Sequence, residues 1–131
     1  MKLDKIDHIS IAVKDIKDAR NRYEKTLNIT PDELYKDENE KINVARYNIG
    51  ETVFELMEST DVDGEVAKFI DKRGEGIFLI SFKVDNVEEV LKSLKDKGIN
   101  VIDEIPRKFG DRKYTFIHPK ELCGVLVELI D

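Results

Sequence analysis

Polar and apolar side chains alternate along residues 6–13 of the chain. His8 and Ser10 fall on one face of an extended segment, whereas the neighbouring isoleucines fall on the other. This period of two predicts a strand with one polar face and one packed face. Residues 76–84 repeat the pattern in the second half of the chain, with Leu79 at the position that corresponds to His8.

Three other stretches space their apolar residues as a helix does. The first follows Asp15, a favourable N-cap. The second is predicted to begin at Asp63 and to end at Gly74. The third follows Asn86, which forms a capping-box pattern with Glu89. A helix is therefore expected after each alternating strand, and another is expected between the two halves of the chain.

The remaining apolar stretches predict strands, and they cover residues 42–49, 52–58, 100–104, 114–117 and 124–130. The first two of these flank Gly50 and Glu51, a two-residue connection typical of a β-hairpin. A short strand is also expected in the charged segment of residues 32–41. Each half of the chain then has the order βαβββ.

The two halves correspond in their last strands as well as in their first. Residues 53–57 match residues 126–130, so that Glu55 corresponds to Glu128. Two copies of one module usually relate by a pseudo-twofold axis, which predicts that equivalent residues face each other across one cavity. The predicted fold class is α+β, with two tandem βαβββ modules in a curved, partly open barrel-like sheet. The predicted single domain comprises residues 1–131, with modules at about 4–58 and 76–131 and a connector helix at about 63–74.

The composition predicts a globular cytoplasmic protein. The chain has 131 residues, of which 40% are apolar and 38% are charged, and no apolar run approaches the length that spans a bilayer. A single cysteine, Cys123, excludes an internal disulfide and fits a reducing compartment. The net charge of −6 argues against nucleic acid or a membrane as a partner.

Positive charge is nevertheless concentrated in residues 105–120, where Asp111 is the only acidic residue. The basic residues of this island are Arg107, Lys108, Arg112, Lys113 and Lys120. Such an island is a candidate phosphate site, and the alternative is a solvated hairpin surface.

His8, Glu55 and Glu128 are the candidate catalytic or metal-binding residues. A carboxylate such as Glu55 in an apolar strand is costly to bury unless a partner compensates it, so the alternative is that Glu55 faces solvent. If the two modules face each other, the two glutamates and His8 converge. Such a set can hold a divalent cation, or it can transfer a proton next to a carbonyl group.

Several segments resemble a known family. Residues 6–15 and 124–129 resemble the opening and closing segments of the vicinal oxygen chelate superfamily, which has the glyoxalase/bleomycin-resistance-type fold. Within that superfamily, residues 67–70, 72–76 and 116–120 resemble segments of methylmalonyl-CoA epimerases. The resemblance covers nearly the whole chain.

The resemblance implies a cobalt-type divalent site with one ligand from each key strand. His8, Glu55 and Glu128 match three ligand positions, whereas the fourth, a histidine in the family, is Leu79 here. Three alternatives follow. Water fills the vacancy, giving a weaker site that favours cobalt, manganese or magnesium; the two glutamates act without metal; or the chain is a non-catalytic relative that binds an acyl-CoA.

The resemblance predicts an epimerase that removes the C2 proton next to a CoA thioester and returns it from the other face. Glu128 and Glu55 would be the acid/base groups, His8 a metal ligand, and the basic island would contact the CoA phosphates. The alternatives are a non-catalytic acyl-CoA-binding protein, a glyoxalase I-type isomerase and a ring-cleaving dioxygenase. A homodimer is the family expectation.

Overall fold

The structure, a computed structural model, describes residues 1–131 and contains eight strands and three α-helices. In chain order they are β1 (Lys5–Ala12), α1 (Ile16–Leu27), β2 (Glu33–Asp37), β3 (Ile42–Ile49), β4 (Thr52–Ser59), α2 (Glu65–Arg73), β5 (Gly76–Lys83), α3 (Val87–Asp96), β6 (Arg107–Phe109), β7 (Arg112–Ile117) and β8 (Val127–Ile130). A short 3-10 helix, Pro119–Leu122, precedes β8. The predicted order, βαβββ twice with a helix between, is confirmed. None of the helices is long and apolar enough to cross a membrane.

The chain forms two compact units, which we call the central unit (residues 9–78) and the terminal unit (residues 1–8 and 79–131). The boundaries fall inside β1 and β5, so that each of these strands contributes residues to both units. The organisation as one domain of residues 1–131 stays a prediction.

In the central unit the strand order is β2-β3-β4-β1, and β2, β3 and β4 pair in antiparallel fashion. Helix α1 begins at its predicted cap, because the Asp15 carboxylate accepts the first free backbone N–H groups. It packs on a cluster that includes Ala45, Tyr47 and Leu56. Helix α2 packs on a second cluster through Val66.

In the terminal unit the strand order is β1-β5-β8-β7-β6, with β5 and β8 parallel and the β8-β7-β6 pairs antiparallel. Asn86 caps helix α3, as predicted, by accepting the Glu89 N–H. The apolar side of the helix packs against one face of this sheet through Val127 and Leu129 of β8. Because side chains alternate along a strand, Glu128 lies on the other face.

Two local predictions are wrong. Helix α2 is capped by Gly64 and not by Asp63, since the Asp61 carboxylate accepts the Asp63 N–H and folds the preceding turn. Residues 100–104 form no strand apart from a single bridge at Val101. The strand of this region is β6, which the tight connection at residues 110–111 pairs with β7.

Candidate functional site

Asp7 and His8 form the first part of a buried polar chain in the terminal unit. The His8 imidazole approaches Asp7 through Nδ1, 2.7 Å from Oδ2, and each residue is only 7% exposed. A carboxylate at one ring nitrogen fixes the orientation of an imidazole and directs the other nitrogen elsewhere. Asp7 therefore positions His8 Nε2.

Arg112 of β7 also binds the Asp7 carboxylate. Its Nη2 donates to Asp7 Oδ1 at 2.8 Å, and its Nε donates to the backbone carbonyl of Asp131 at 2.8 Å. Burial by itself would raise the pKa of Asp7. The hydrogen bonds from His8 and Arg112, together with the Arg112 charge, outweigh burial and hold that pKa well below its usual range. Asp7 is therefore a carboxylate at neutral pH.

Glu128 of β8 lies at the other nitrogen of His8. The distance from His8 Nε2 to Glu128 Oε1 is 3.2 Å, and both side chains are less than a tenth exposed. Ser81, its register partner on β5, donates its hydroxyl to the same carboxylate oxygen at 2.6 Å. We call the set formed by Asp7, His8, Ser81, Arg112 and Glu128 the His8 cluster.

The position of His8 between two carboxylates restricts its chemical state. A neutral imidazole has one N–H, so a ring that donates from Nδ1 to Asp7 would point a bare Nε2 lone pair at an oxygen of Glu128. An imidazolium that donates to both carboxylates removes this repulsion, and so does a metal cation between Nε2 and Glu128. Each state is chemically useful, because the site can hold a mobile proton or a cation.

The donor set at this point also fits two positions of a divalent-metal shell. Two ligands bound at about 2.1 Å lie about 3.0 Å apart at a right angle and about 3.4 Å apart at a tetrahedral angle. The 3.2 Å between His8 Nε2 and Glu128 Oε1 falls between these values. No group of three or more His, Cys, Asp and Glu side chains with metal-site spacing occurs in the structure.

Glu55 belongs to the central unit and is also buried, with 3% of its surface exposed. The alternative that Glu55 faces solvent is therefore wrong. Ser10 donates its hydroxyl to Glu55 Oε1 at 2.9 Å, and Arg46 Nε lies 3.1 Å from Oε2. Burial and the nearby Glu55 charge raise the pKa of Tyr35. Arg46, its register partner on β3, offsets part of the cost of burying this carboxylate.

The two units contain equivalent serine–glutamate pairs. Ser10 bonds Glu55 in one unit and Ser81 bonds Glu128 in the other, which agrees with the register of the internal repeat. The repeat differs two residues earlier. Leu79, at the position equivalent to His8, is an apolar side chain with 3% of its surface exposed.

The structure divides the basic island between the two faces of the β6–β7 hairpin. Arg107 pairs with Asp103 at 3.0 Å and lies over the Phe116 ring, on the same side as Arg112. Lys108 and Lys113 lie opposite each other on the α3 side. The remaining member, Lys120, is in the 3-10 helix. The five residues are not brought into one patch, and their role at CoA phosphates stays a prediction.

The sequence matches the family model of the Glyoxalase/Bleomycin resistance protein/Dioxygenase superfamily over residues 5–129. The chain belongs to this superfamily. The predicted α+β glyoxalase fold is thereby confirmed.

Relatives within the superfamily include methylmalonyl-CoA epimerases. The chain is 38% identical over 130 residues to the uncharacterized protein YqjC of Bacillus subtilis, covering 98% of this chain and 93% of that one. It is 31% identical to the mitochondrial methylmalonyl-CoA epimerase of Bos taurus, covering 97% and 74%. A Streptomyces coelicolor methylmalonyl-CoA epimerase, solved in complex with 2-nitronate-propionyl-CoA, has a TM-score of 0.91 and 32% identity, covering 98% and 97%.

Sequence reasoning missed the residues that surround the candidate ligands. Arg46 was predictable, because the hairpin centred on residues 50–51 places it opposite Glu55. The contact of Arg112 with Asp7 joins positions 105 residues apart, and no local pattern marks it. Both arginines neutralise a buried carboxylate, a role that sequence reasoning left unassigned.

Proposed function

We propose that this chain transfers a proton at the carbon next to the thioester of a small acyl-CoA, as an epimerase of the methylmalonyl-CoA type. The proposal rests on the buried contact of His8 Nε2 with Glu128 Oε1. The kinship with methylmalonyl-CoA epimerases, and the acyl-CoA bound to the Streptomyces coelicolor enzyme, support the choice of substrate class.

Glu128 is the proposed proton-transfer group. Its carboxylate removes the C2 proton, and the Ser81 hydroxyl together with His8 stabilises the charge that changes at Oε1 during the transfer. Because Arg112 and Asp7 fix the imidazole, His8 keeps its position while the proton moves. The internal repeat suggests Glu55 as the second acid/base group; in its protonated form it would donate its own proton to the opposite face of C2, while Glu128 keeps the proton that it removed.

A divalent cation also fits this proposal, with His8 and Glu128 as ligands. Cobalt, manganese or magnesium at this position would polarise the thioester oxygen and stabilise the enolate. With Leu79 in place of a further imidazole, we expect a weak site in which water completes the shell. Binding of a divalent metal is therefore part of the proposal, and it is tested together with the activity.

The test is hydrogen exchange at C2. The protein is incubated with one stereoisomer of methylmalonyl-CoA in D2O, with and without added cobalt, and deuterium at C2 is followed by mass spectrometry. We expect enzyme-dependent incorporation of one deuterium. Absence of exchange under both conditions would reject the enzymatic function.

A non-catalytic acyl-CoA-binding protein is the second candidate. It is favoured by the buried Leu79, since an apolar side chain at this position supplies neither a ligand nor a proton. Calorimetry distinguishes the two functions, because tight acyl-CoA binding without C2 exchange is expected for the second candidate alone.

A further inference from the structure

A groove of about 460 Å³ lies in the terminal unit between α3 and the β6–β7 hairpin. Its polar lining consists of four lysines and two glutamates, namely Lys92, Lys95, Lys108, Lys113, Glu88 and Glu104. The volume is within the range of small-molecule sites, which is about 300 to 1,000 Å³. The groove is thus large enough for a ligand of several functional groups.

The lysines of this groove outnumber their partners. Lys113 pairs with Glu88, and Lys95 lies 3.3 Å from a carboxylate oxygen of Glu104. Lys92 and Lys108 have no carboxylate partner, in a chain whose net charge is −6. The groove therefore concentrates uncompensated positive charge on an acidic protein.

Strand pairing in the β6–β7 hairpin places two of these lysines next to each other. Lys108 of β6 lies directly opposite Lys113 of β7. Like charges at opposite positions of an antiparallel pair are destabilising. Glu88 compensates Lys113, and a bound anion would compensate Lys108. The four amino groups together provide donors for more than one phosphate group.

The groove also has an apolar wall. Ile105 is 75% exposed, and it lines the groove together with Pro106 and Leu91. An inorganic anion would leave this wall in contact with water. A ligand that carries both phosphates and a flat apolar ring system covers the wall and neutralises the lysines at the same time.

We propose that this groove binds a phosphorylated nucleotide. The same chemistry is offered by a free nucleotide and by the nucleotide end of CoA, so the inference rests on the proposed function only for the choice of CoA as the source. It assigns Lys92 and Lys95 of α3 to the same site as Lys108 and Lys113.

The test is calorimetric titration of the full chain with adenosine 3′,5′-bisphosphate, CoA, AMP and inorganic phosphate. The wild type is compared with the double variant Lys92→Gln/Lys108→Gln. The matched control is Lys17→Gln/Lys25→Gln, which removes two exposed lysines of α1. All four positions are exposed, and circular dichroism verifies that each variant folds.

We expect the bisphosphate to bind the wild type at least about tenfold more tightly than inorganic phosphate. The groove variant should lose about tenfold or more in affinity, and the control variant should match the wild type. Tighter binding of CoA than of AMP identifies CoA as the source, and equal binding identifies a free nucleotide. Unchanged affinity in the groove variant, or binding of the bisphosphate no tighter than of phosphate, would overturn the proposal.

The affinity of the groove for nucleotides is measured without any catalytic reaction. Nucleotide binding that depends on Lys92 and Lys108, in a protein without C2 exchange, supports the groove and rejects the epimerase. C2 exchange in a protein whose groove binds no nucleotide would support the epimerase and reject the groove as a nucleotide site.

Discussion

Substitution of Asp7 by asparagine tests the contacts of Asp7 with His8 and Arg112 in the His8 cluster. The asparagine keeps the size of the side chain but removes the charge that faces both Arg112 and His8. Breaking a buried ion pair by removing one partner costs about 3 to 5 kcal/mol. Because the Arg112 side chain is 35% exposed, water takes up part of its charge, and we expect a loss nearer about 2 kcal/mol.

Urea unfolding followed by circular dichroism measures this loss as a lower transition midpoint at unchanged slope. The matched control is Asp4→Asn, which removes an aspartate that is 60% exposed and 3.9 Å from Lys83. We expect the control to change the free energy of unfolding by less than about 0.5 kcal/mol. Equal effects of the two substitutions would show that Asp7 contributes no more to stability than an exposed aspartate.

The pH dependence supplies a second check on Asp7. The folded protein holds the pKa of Asp7 below its ordinary value of 3.8, so the unfolded chain binds the proton first as the pH falls. The stabilisation by Asp7 is therefore complete above about pH 4 and is lost as the pH falls further. The difference in stability between wild type and Asp7→Asn should shrink below pH 4. A difference that stays constant between pH 7 and pH 3 contradicts the assigned pKa.

Three further substitutions test other parts of the structure. Arg46→Met removes the guanidinium that faces the buried Glu55 carboxylate, and we expect a loss of about 2 to 4 kcal/mol in urea unfolding; a loss under about 0.5 kcal/mol would show that Arg46 does not compensate Glu55. Tyr47→Phe removes a hydroxyl that donates to Glu24 at 2.8 Å, with a loss of about 1 kcal/mol at pH 7. Burial and the bond to Glu24 raise the pKa of Tyr47 to about 12, so the contribution of its hydroxyl is lost between about pH 10 and pH 12 and the gap between wild type and variant should shrink there; a gap that stays constant contradicts this origin. Leu79→His adds an imidazole at the position equivalent to His8 and should tighten cobalt binding by about tenfold in a calorimetric titration; unchanged affinity argues against that position as a ligand site.

Features that depend on local sequence were predictable. Asp15 and Asn86 cap their helices because a capping side chain bonds backbone groups two or three residues away. The hairpin at residues 50–51 follows from its two-residue connection. The internal repeat placed Glu55 and Glu128 at equivalent positions, and the two serine–glutamate hydrogen bonds agree with that register.

Features that depend on distant contacts were not predictable in the same way. The strand β6 consists of Arg107, Lys108 and Phe109. Because two of its three residues are charged, no hydrophobic pattern predicts a strand there. Residues 100–104 have the pattern of a strand, yet they pair only at a single bridge. The Arg112–Asp7 contact depends on how the last strands pack beside the first, and this arrangement is visible only in the folded chain.

The central claim is that Glu128, in contact with His8, transfers the C2 proton of an acyl-CoA. The measurement that tests it most directly is the rate of C2 deuterium exchange in methylmalonyl-CoA for wild type, Glu128→Gln and Glu38→Gln. Glu38 is the matched control, because its side chain is 79% exposed. We expect exchange in the wild type and the control, and a decrease of about 100-fold or more in Glu128→Gln. Equal exchange rates in all three proteins would contradict it.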